Sequence, residues 1–308
     1  MTTLLFSHPI CLEHENFPGH PEQPERLRAI DGALEDPAFF LLDRREAPEG
    51  SIKDIKRVHA PYHVEAIFES VPKEGYVALD PDTGLSPASG QAALRAVGAA
   101  CAAVDAVVGG EARNAFCAIR PPGHHAEATQ AMGFCLFNNA AVAARHARVE
   151  CGLDRVAVVD FDVHHGNGTQ SAFEDDPTLF YASSHQWPAY PGTGMEHETG
   201  VGNIVNVPLA PGSGSEAFRE GYTGRILPRL REFKPDLLII SAGFDAHARD
   251  PLAQLRLQTE DFAWVTRELL AVADACCRGR VVSVLEGGYD LPALGASVAV
   301  HIRELMGI

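Results

Sequence analysis

Two carboxylates and two imidazoles alternate with apolar residues in the segment DFDVHH at 160–165. The segment follows an apolar run rich in β-branched residues, and residues two apart in extended backbone point to the same side. Asp160, Asp162 and His164 would then share one face. A catalytic zinc usually takes three nitrogen or oxygen ligands from the protein and keeps one position open. The segment therefore indicates part of a zinc site whose remaining ligand comes from elsewhere in the chain.

The pattern around this segment predicts an α/β layered fold in which strands alternate with helices. Short apolar runs that end in polar residues are typical of buried strands in a mostly parallel sheet. These runs cover 115–119, 155–159, 179–182, 204–207, 237–241 and 281–285. Helical patterns cover 88–108, 138–149, 215–232, 259–275 and 292–305. Ser86-Pro87 and Thr259, which two acidic residues follow, are typical helix starts.

Four of the predicted strands end in groups that can do chemistry. The groups are the pair His124 and His125 behind a Pro-Pro-Gly turn, the segment 160–168, Asp245, and Tyr289 behind two glycines. Ligands of such a sheet bind beyond the carboxyl ends of its strands. Titratable groups at four strand ends, with glycines that allow close backbone approach, favour one site over four unrelated loops.

Asp162, His164 and Asp245 would together form a site of two carboxylates and one imidazole, which favours metal-assisted hydrolysis. Taken alone, Asp245 fits a helix cap or a solvated loop carboxylate equally well. If the pair His124 and His125 is functional, one imidazole would act as general base and the other would stabilise developing charge. Packed or solvated histidines are the alternative.

Tyr289 could donate a hydrogen bond to a carbonyl oxygen that becomes anionic, although a core tyrosine explains the local sequence equally well. Asp160 and Asn167 are candidates for orienting the two histidines. No G-x-S-x-G, Walker or G-x-G-x-x-G motif stands at a strand end, which argues against a serine hydrolase, a nucleotidase and a dehydrogenase.

Length and composition predict one soluble domain over residues 1–308, with 46% apolar and 21% charged residues and no linker or repeat. An export signal is not recognisable at the start, and we expect no membrane-spanning run, so a cytoplasmic protein is expected. The net charge of −16 argues against a nucleic-acid partner and suits a cationic substrate, although acidity also serves solubility. The seven cysteines are expected to be reduced, with a redox pair at Cys276-Cys277 as the alternative.

Several motifs in order along nearly the whole chain resemble the zinc-dependent histone deacetylase and acetylpolyamine amidohydrolase superfamily, in particular its class II-like bacterial members. The motifs are GHPEQPER at 19–26, DPDT at 80–83, RPPGHH at 120–125, MGFC at 132–135, the segment 160–168, PGTG at 191–194, the segment 241–252 and EGGY at 286–289. The resemblance implies an arginase-deacetylase α/β fold in a single deacetylase domain. It also implies hydrolysis of an acetyl or other short acyl amide on a lysine-like primary amine.

The resemblance assigns the metal ligands and the catalytic groups. The zinc ligands implied are Asp162, His164 and Asp245. A structural potassium site is implied at Asp160, Asp162, His164, Ser183 and Ser184. The catalytic roles implied are general base and acid for His125, electrostatic neighbour for His124, carbonyl polarisation for Tyr289, and orientation of the histidines for Asp160 and Asn167. In this resemblance Asn167 cannot strengthen His125 as a base in the way a carboxylate would.

The resemblance also implies a substrate tunnel with Phe134 as one wall and Tyr190 as the other. The Gly133 carbonyl would accept the substrate amide N–H, and Asp82 would grip the substrate backbone at the rim. Tyr190 stands where the family usually has Phe, so the tunnel gains a hydroxyl. Leu252 stands where polyamine-selective relatives carry a Glu that would pair with an ammonium group. The apolar residue favours acetyl-lysine-type substrates.

Other functions stay open on the sequence alone. The expected partner is an acetylated lysine peptide or protein, or an acetylated small amine, without nucleic acid or membrane, and a homo-oligomer is possible. Acetylpolyamine deacetylation is the nearest alternative. An arginase-like binuclear manganese enzyme would want further carboxylates where Gly166 and His247 stand, and a silent acyl-ligand sensor would not need Tyr289 together with the His124–His125 pair. His165 has no assigned role.

Overall fold

The structure is a computed structural model that describes residues 2–308, and its centre is a parallel sheet. The strands are β1 (Thr3–Ser7), β2 (Asp43–Glu46), β3 (Val77–Ala78), β4 (Gly84–Leu85), β5 (Asn114–Cys117), β6 (Val156–Asp160), β7 (Leu179–Gln186), β8 (Ile204–Leu209), β9 (Leu237–Ala242) and β10 (Val281–Leu285). Eight of them form the sheet in the order β2-β1-β5-β10-β9-β6-β7-β8, and β3 and β4 form a small antiparallel pair. Every paired neighbour in the large sheet is parallel.

Helices cover both faces of this sheet. They are α1 (Glu25–Ala33), α2 (Ile52–Ile55), α3 (Pro61–Ser70), α4 (Ser89–Val108), α5 (Asn139–Val149), α6 (Asn167–Phe173), α7 (Ser215–Gly221), α8 (Leu227–Phe233), α9 (Thr259–Cys277) and α10 (Leu291–Met306). Helices α1, α8, α9 and α10 pack on one face, and α4 and α5 pack on the other. Alternate residues of β9 point into the two layers, Leu238 into the first and Ile239 into the second. The predicted α/β fold is confirmed.

All six strands predicted from the sequence are present, with bounds shifted by at most a few residues. Strands β1, β2, β3 and β4 were not predicted. Strand β2 has the sequence DRRE at the edge of the sheet, so it lacks the apolar run that marks a buried strand. The predicted helix 215–232 is also interrupted, because a π turn at Tyr222–Ile226 separates α7 from α8 just before Pro228, which has no N–H for a regular helix.

Helix α4 corrects the expectation that no segment could span a membrane. By length and composition it is apolar enough to do so, but most of its residues are buried inside the protein, as in the core helix of a globular fold. Its many alanines raise the hydropathy while allowing close packing against α5 and the sheet.

All seven cysteines lie within the described residues and all are free. Cys276 and Cys277 therefore form no disulfide, and the two follow each other at the end of α9. Five of the seven side chains are buried, as expected for small hydrophobic residues.

Candidate active site

The four strands whose ends carry the candidate residues are consecutive in the sheet, in the order β5-β10-β9-β6. Because they are parallel, their carboxyl ends meet at one edge. The loops that follow them face a cavity of about 200 Å³. Its lining consists of Asp82, Pro122, His124, His125, Gly133, Phe134, His164, Tyr190, Leu252, Gly287 and Tyr289. The structure thus brings the predicted catalytic and tunnel residues to one place.

The backbone after β6 does not continue as a strand, so the extended conformation expected for residues 160–164 is wrong beyond Asp160. Strand β6 ends at Asp160, and two turns follow. The Asp162 N–H donates to Asp160 Oδ1 (3.0 Å), and the His164 N–H donates to Asp162 Oδ1 (2.9 Å). Side chains of Asp that bind the backbone two residues on are typical of such turns. After these turns Asp160 contacts His124, and Asp162 and His164 lie next to each other beside Asp245.

Asp162, His164 and Asp245 form the group that could hold a metal ion, since one ligand atom from each lies within 4.8 Å of the others. His164 Nδ1 lies 3.1 Å from Asp162 Oδ1 and 3.3 Å from Asp245 Oδ2. Asp245 Oδ1 accepts the Val163 N–H (2.9 Å), whereas Asp245 Oδ2 is buried and accepts no hydrogen bond from the described residues. A buried carboxylate oxygen without a donor is costly unless a cation binds it. The donor set of two oxygens and one imidazole fits zinc.

The electrostatics of this group also call for a cation. Burial disfavours a charged imidazole, but the nearby carboxylates of Asp162 and Asp245 outweigh it and raise the pKa of His164 to about 10. Burial and the charge of Asp162 raise the pKa of Asp245. A divalent ion bound here would take the place of a proton on His164.

Glycine at position 287 makes room for the two carboxylates. A Cβ atom at this position would lie 2.1 Å from Asp245 Oδ2 and 2.6 Å from Asp162 Oδ2, which no side chain can occupy. The Gly287 N–H instead donates to Asp162 Oδ2 (2.8 Å). The glycine thus permits the approach of β10 to the metal ligands and orients one of them.

His124 is bonded to a carboxylate and carries charge. Its Nδ1–H donates to Asp160 Oδ2 (2.9 Å), which also accepts the Tyr181 hydroxyl (3.1 Å). Burial opposes protonation, but the charges of Asp160, Asp162 and Glu286 outweigh it, so the pKa of His124 lies well above its usual value. This geometry is the one predicted for an electrostatic histidine held by Asp160.

His125 is bonded to an amide and stays neutral. Its ring Nδ1 lies 2.8 Å from Asn167 Oδ1, as predicted for the orienting residue. Burial and the charges of His124 and His164 hold the pKa of His125 well below its usual value. Since the amide oxygen accepts the Nδ1 proton, Nε2 is left unprotonated, and no side chain among the described residues binds it. This is the tautomer that a general base needs.

The loop carrying Tyr289 is held by residues that were not predicted. Arg26 is buried, its Nε donates to the Gly288 carbonyl (2.7 Å), and its guanidinium lies 4.8 Å from the centre of the Tyr289 ring. Asp250 Oδ2 accepts the Tyr289 N–H (2.7 Å) from the other side. Burial raises the pKa of the Tyr289 hydroxyl well above its usual value, so the phenol keeps its proton for donation.

Glu286 links two of the strand ends and was also not predicted. Its Oε2 accepts the N–H groups of Gly123 (2.7 Å) and His124 (3.2 Å), and its Oε1 accepts the Ser241 hydroxyl (3.2 Å). Burial raises the pKa of Glu286 to about 7. Neither Glu286 nor Asp250 has a signal in the sequence beyond its place next to a predicted site residue, because each acts on backbone groups of another loop.

The predicted tunnel walls stand close to the imidazoles. The Tyr190 ring lies edge-on to His125 with 5.1 Å between ring centres, and its side chain is partly exposed. The Phe134 ring lies 5.9 Å from that of Tyr289. Leu252 and Asp82 line the same cavity, with Leu252 partly exposed at its mouth. The cavity lining thus contains the aromatic rings of Phe134, Tyr190 and Tyr289 beside the imidazoles.

Gly133 cannot be replaced without moving His125. Its φ is +56°, and a Cβ atom there would lie 2.4 Å from His125 Cδ2. Phe134 continues in the left-handed region with φ 69°, and its N–H donates to Thr83 Oγ1 (3.1 Å). The Gly133 carbonyl contacts the Cys135 thiol (3.2 Å), and its predicted bond to a substrate N–H stays a prediction.

Residues of the predicted potassium site lie on β6, on β7 and in the turns after β6. Asp160 and Ser183 are direct partners in the register of β6 and β7. The Ser184 hydroxyl donates to the Tyr222 hydroxyl (3.4 Å), and that of Ser183 pairs with His185. The potassium site stays a prediction.

His165, which had no assigned role, lies outside the cavity lining. Gln170 Oε1 accepts the Asn206 amide (2.8 Å), so the His165 Nε2–H donates to the same oxygen (2.8 Å). Its Nδ1 then accepts the Thr193 hydroxyl (2.7 Å). His165 thus holds the loop 190–194, which carries Tyr190.

A different cluster with metal-ligand residue types lies away from the cavity, around His146. His146 Nε2 pairs with Asp105 (2.8 Å), and Nδ1 lies 3.3 Å from Asp54 Oδ1. Arg57 Nε lies 2.8 Å from the same Asp54 oxygen. The Arg57 guanidinium already provides a cation for Asp54. Among the described residues, no guanidinium reaches Asp245 Oδ2.

Residues 20–305 match the family model of the histone deacetylase domain. The chain is 40% identical over 299 residues to the histone deacetylase-like amidohydrolase of Pseudomonas aeruginosa. This alignment covers 94% of this chain and 78% of the relative. It is 39% identical over 298 residues to a protein of Archaeoglobus fulgidus described as a probable deacetylase, covering 94% and 82%. The crystal structure of the HDA15 HD domain matches with a TM-score of 0.95 and 36% identity, over 99% of this chain and 88% of that one.

Proposed function

Since this chain belongs to the histone deacetylase family and is a hydrolase of the arginase-deacetylase fold, we propose that it uses zinc to remove acetyl or other short acyl groups from lysine-like primary amines. The observation that carries the proposal is the donor set of Asp162, His164 and Asp245. It includes a buried oxygen that accepts no hydrogen bond from the described residues, and His164 lines the same cavity as His125 and Tyr289.

Asp162, His164 and Asp245 would hold the zinc ion. When bound, zinc supplies a Lewis acid that polarises a carbonyl and makes water acidic enough to react at neutral pH. The carboxylates of Asp162 and Asp245 are already oriented by backbone N–H groups, from Gly287 and Val163 respectively. Ligands fixed in this way need little rearrangement when the ion binds.

The two imidazoles would have different roles, with His125 transferring the proton and His124 stabilising charge. His125 Nε2 faces the cavity unprotonated and would accept a proton as the nucleophile attacks. His124 stays charged beside Asp160 and would stabilise negative charge next to it. His125 would then return its proton to the leaving amine, which leaves as a neutral group.

Tyr289 would donate its hydroxyl proton in a hydrogen bond to the carbonyl oxygen as that oxygen becomes negative. Arg26 and Asp250 hold the backbone of the loop that carries this phenol. This supports the predicted role of Tyr289 as the carbonyl-polarising residue.

The shape of the cavity supports a thin, flexible substrate chain that ends in an acyl amide. Phe134 and Tyr190 would enclose its methylene groups, and Leu252 offers no carboxylate to an internal ammonium group. Asp82 at the cavity suits an N–H donor of a peptide backbone. These features favour acetyl-lysine in a peptide or protein over an acetylpolyamine.

Metal analysis followed by a screen of acylated amines tests the proposal. We expect one zinc ion per chain, acetate release that a chelator abolishes, and inhibition by hydroxamates. The specificity constant for an acetyl-lysine peptide should exceed that for acetylputrescine, and the reverse order would identify the polyamine alternative. Two metal ions per chain would favour a ureohydrolase, and bound zinc without turnover of any acylated amine would favour a silent sensor.

The Tyr289→Phe variant tests the role of the hydroxyl without changing the ring. We expect kcat to fall by about 10²–10³, the usual effect of removing one donor to a developing oxyanion. Zinc content should stay at the wild-type level. Wild-type turnover in this variant would contradict the assignment of Tyr289.

Substituting potassium by sodium in the same assay tests the predicted potassium site, whose loss should lower stability or activity.

A further inference from the structure

Glu127 lies two residues after His125 and contacts the other side of Asn167. The Asn167 Nδ2–H donates to Glu127 Oε1 (2.7 Å), while Asn167 Oδ1 accepts the His125 Nδ1–H (2.8 Å). The three side chains therefore form a chain of hydrogen bonds from a half-buried carboxylate to the imidazole. The Asn167 amide is thus the side-chain partner of the Glu127 carboxylate.

The amide of Asn167 can bind in two orientations, and its surroundings select one. On the Nδ2 side lie three acceptors: Glu127 Oε1 at 2.7 Å, the His125 carbonyl at 3.3 Å and Met132 Sδ at 3.4 Å. A flipped amide would turn its oxygen toward all three. Glu127 is the charged and nearest acceptor of the set, and charge-assisted hydrogen bonds are the strong ones.

The orientation of Asn167 decides which nitrogen of His125 carries the proton. With Oδ1 toward the ring, Nδ1 must be protonated and Nε2 is free to accept a proton. With the amide flipped, Nδ2 would donate to Nδ1, and the proton of the neutral ring would sit on Nε2. A ring in that tautomer cannot act as general base toward the cavity.

The backbone of Glu127 is fixed by its own contacts. The Asn138 N–H donates to His59 Nε2 (2.8 Å), so the proton of His59 is on Nδ1 and is donated to the Glu127 carbonyl (2.9 Å). Burial lowers the pKa of His59 to about 4, which keeps this ring neutral. The Glu127 N–H donates to the Gln130 carbonyl (2.9 Å). These contacts hold the Glu127 backbone next to Asn167.

We propose that Glu127 is a positioning residue for catalysis: it fixes the amide orientation of Asn167 and thereby the tautomer of the general base His125. The inference rests on the proposed deacetylase function only for its effect on turnover. The role requires an acceptor at this position and not the negative charge itself. Glutamine can provide the acceptor, and leucine of similar size cannot.

The variants Glu127→Gln and Glu127→Leu form the matched pair for the test. In the zinc-loaded full chain we expect kcat of Glu127→Leu to fall at least about tenfold on an acetyl-lysine peptide, the effect typical of losing such an indirect partner. KM and zinc content should change little, because Glu127 touches neither the cavity nor the metal ligands. Glu127→Gln should keep kcat close to the wild-type value. Equal kcat in all three proteins, or an equal loss in both variants, would overturn the proposal.

A second pair of variants exchanges the carboxylate and the amide between positions 127 and 167. Asn167→Asp would strengthen His125 as a base, but it also places a carboxylate against that of Glu127; we expect the repulsion to dominate and kcat to fall. Adding Glu127→Gln to Asn167→Asp replaces the repulsion by an amide that donates to the new carboxylate. The double variant should recover at least about tenfold over Asn167→Asp, and a double variant no better than the single one would contradict the proposal.

The ¹⁵N chemical shifts of the His125 ring report the tautomer without any turnover. The signals are assigned by their loss in His125→Gln. We expect one tautomer with Nδ1 protonated in the wild type and in Glu127→Gln, and a mixture in Glu127→Leu. An unchanged tautomer in Glu127→Leu would overturn the positioning role. If the wild type released no acetate from any acylated amine, the proposed function would fail, while these shifts would still decide the role of Glu127.

Discussion

Two pairs of buried histidines at the same edge of the sheet differ in what their ring nitrogens contact. In the pair His124 and His125, the rings are bonded to the Asp160 carboxylate and the Asn167 amide and face the cavity. In the pair His165 and His185, both nitrogens of each ring are used by neutral groups. His185 donates from Nε2 to the Gly194 carbonyl (2.9 Å) and accepts the Ser183 hydroxyl at Nδ1 (2.9 Å).

Burial acts on both pairs alike, so the carboxylate accounts for the difference. Burial lowers the pKa of His165 to about 4 and that of His185 to about 3, and it lowers that of His125. Only in His124 do nearby carboxylates, Asp160 first, outweigh burial and raise the pKa. The pair at the cavity thus combines a charged ring with a neutral ring that has a free nitrogen. The other pair serves as hydrogen-bonding contacts for the loop of Tyr190.

The largest effect is expected when the free nitrogen is removed. His125→Ala should lower kcat by about 10²–10⁴, the usual contribution of a general base. Zinc content and KM should stay near the wild-type values, because His125 is not a proposed ligand. Steady-state kinetics on an acetyl-lysine peptide provides the measurement, and a loss of less than tenfold would remove His125 from the reaction.

Asp160→Asn makes the surroundings of His124 more like those of His185. The neutral amide cannot stabilise a charged ring as the carboxylate does, so we expect kcat to fall by about ten- to a hundredfold. Tyr181→Phe is the matched control, since it removes one hydrogen bond to Asp160 without removing its charge. An equal loss in both variants would mean that packing at Asp160, and not its charge, matters to His124.

His185→Gln tests whether this ring is neutral in the folded protein. Its folded-state pKa of about 3 lies below the value of 6.5 for an exposed histidine, so the unfolded state binds the extra proton between these values. Stability should therefore fall as pH drops below 6.5, by about 1.4 kcal/mol per pH unit from this one group. Urea unfolding at pH 7 and pH 5 should show a smaller loss in His185→Gln than in the wild type. Equal losses would contradict a neutral His185.

The smallest effect on turnover is expected for His165→Gln. Glutamine can still reach Gln170 or Thr193, and the substitution leaves the His124–His125 pair untouched. We expect kcat to change far less than the roughly hundredfold that a misplacement of about 1 Å produces at a reacting group. A kcat loss like that of His125→Ala would erase the distinction between the two pairs.

The sequence predicts the buried strands and the groups at their ends, because these follow from the spacing and composition of apolar residues. The six buried strands have continuous apolar runs, and groups with metal-binding or acid–base chemistry follow four of them directly, so their meeting at one edge follows from a parallel sheet. The edge strand β2 has neither period nor apolar run, and its place is set by pairing with β1. Its position therefore could not be predicted.

The site residues that were not predicted bind backbone N–H groups or fix the orientation of an amide. Asp250 and Glu286 bind N–H groups that every residue has, so the sequence does not show which loop they hold. The turns after β6 were missed because Asp162 and His164 alternate as strand residues do. Glu127 is recognisable only once Asn167 is seen between it and His125.

Titration of the metal-free protein with zinc tests the central claim most directly. The three-ligand site predicts that acetate release from an acetyl-lysine peptide rises with added zinc and reaches its plateau at one equivalent per chain. Asp245→Ala, which removes the carboxylate with the free oxygen, should bind no zinc at the same concentrations. A plateau at two equivalents, or full activity of Asp245→Ala at one equivalent, would contradict the account.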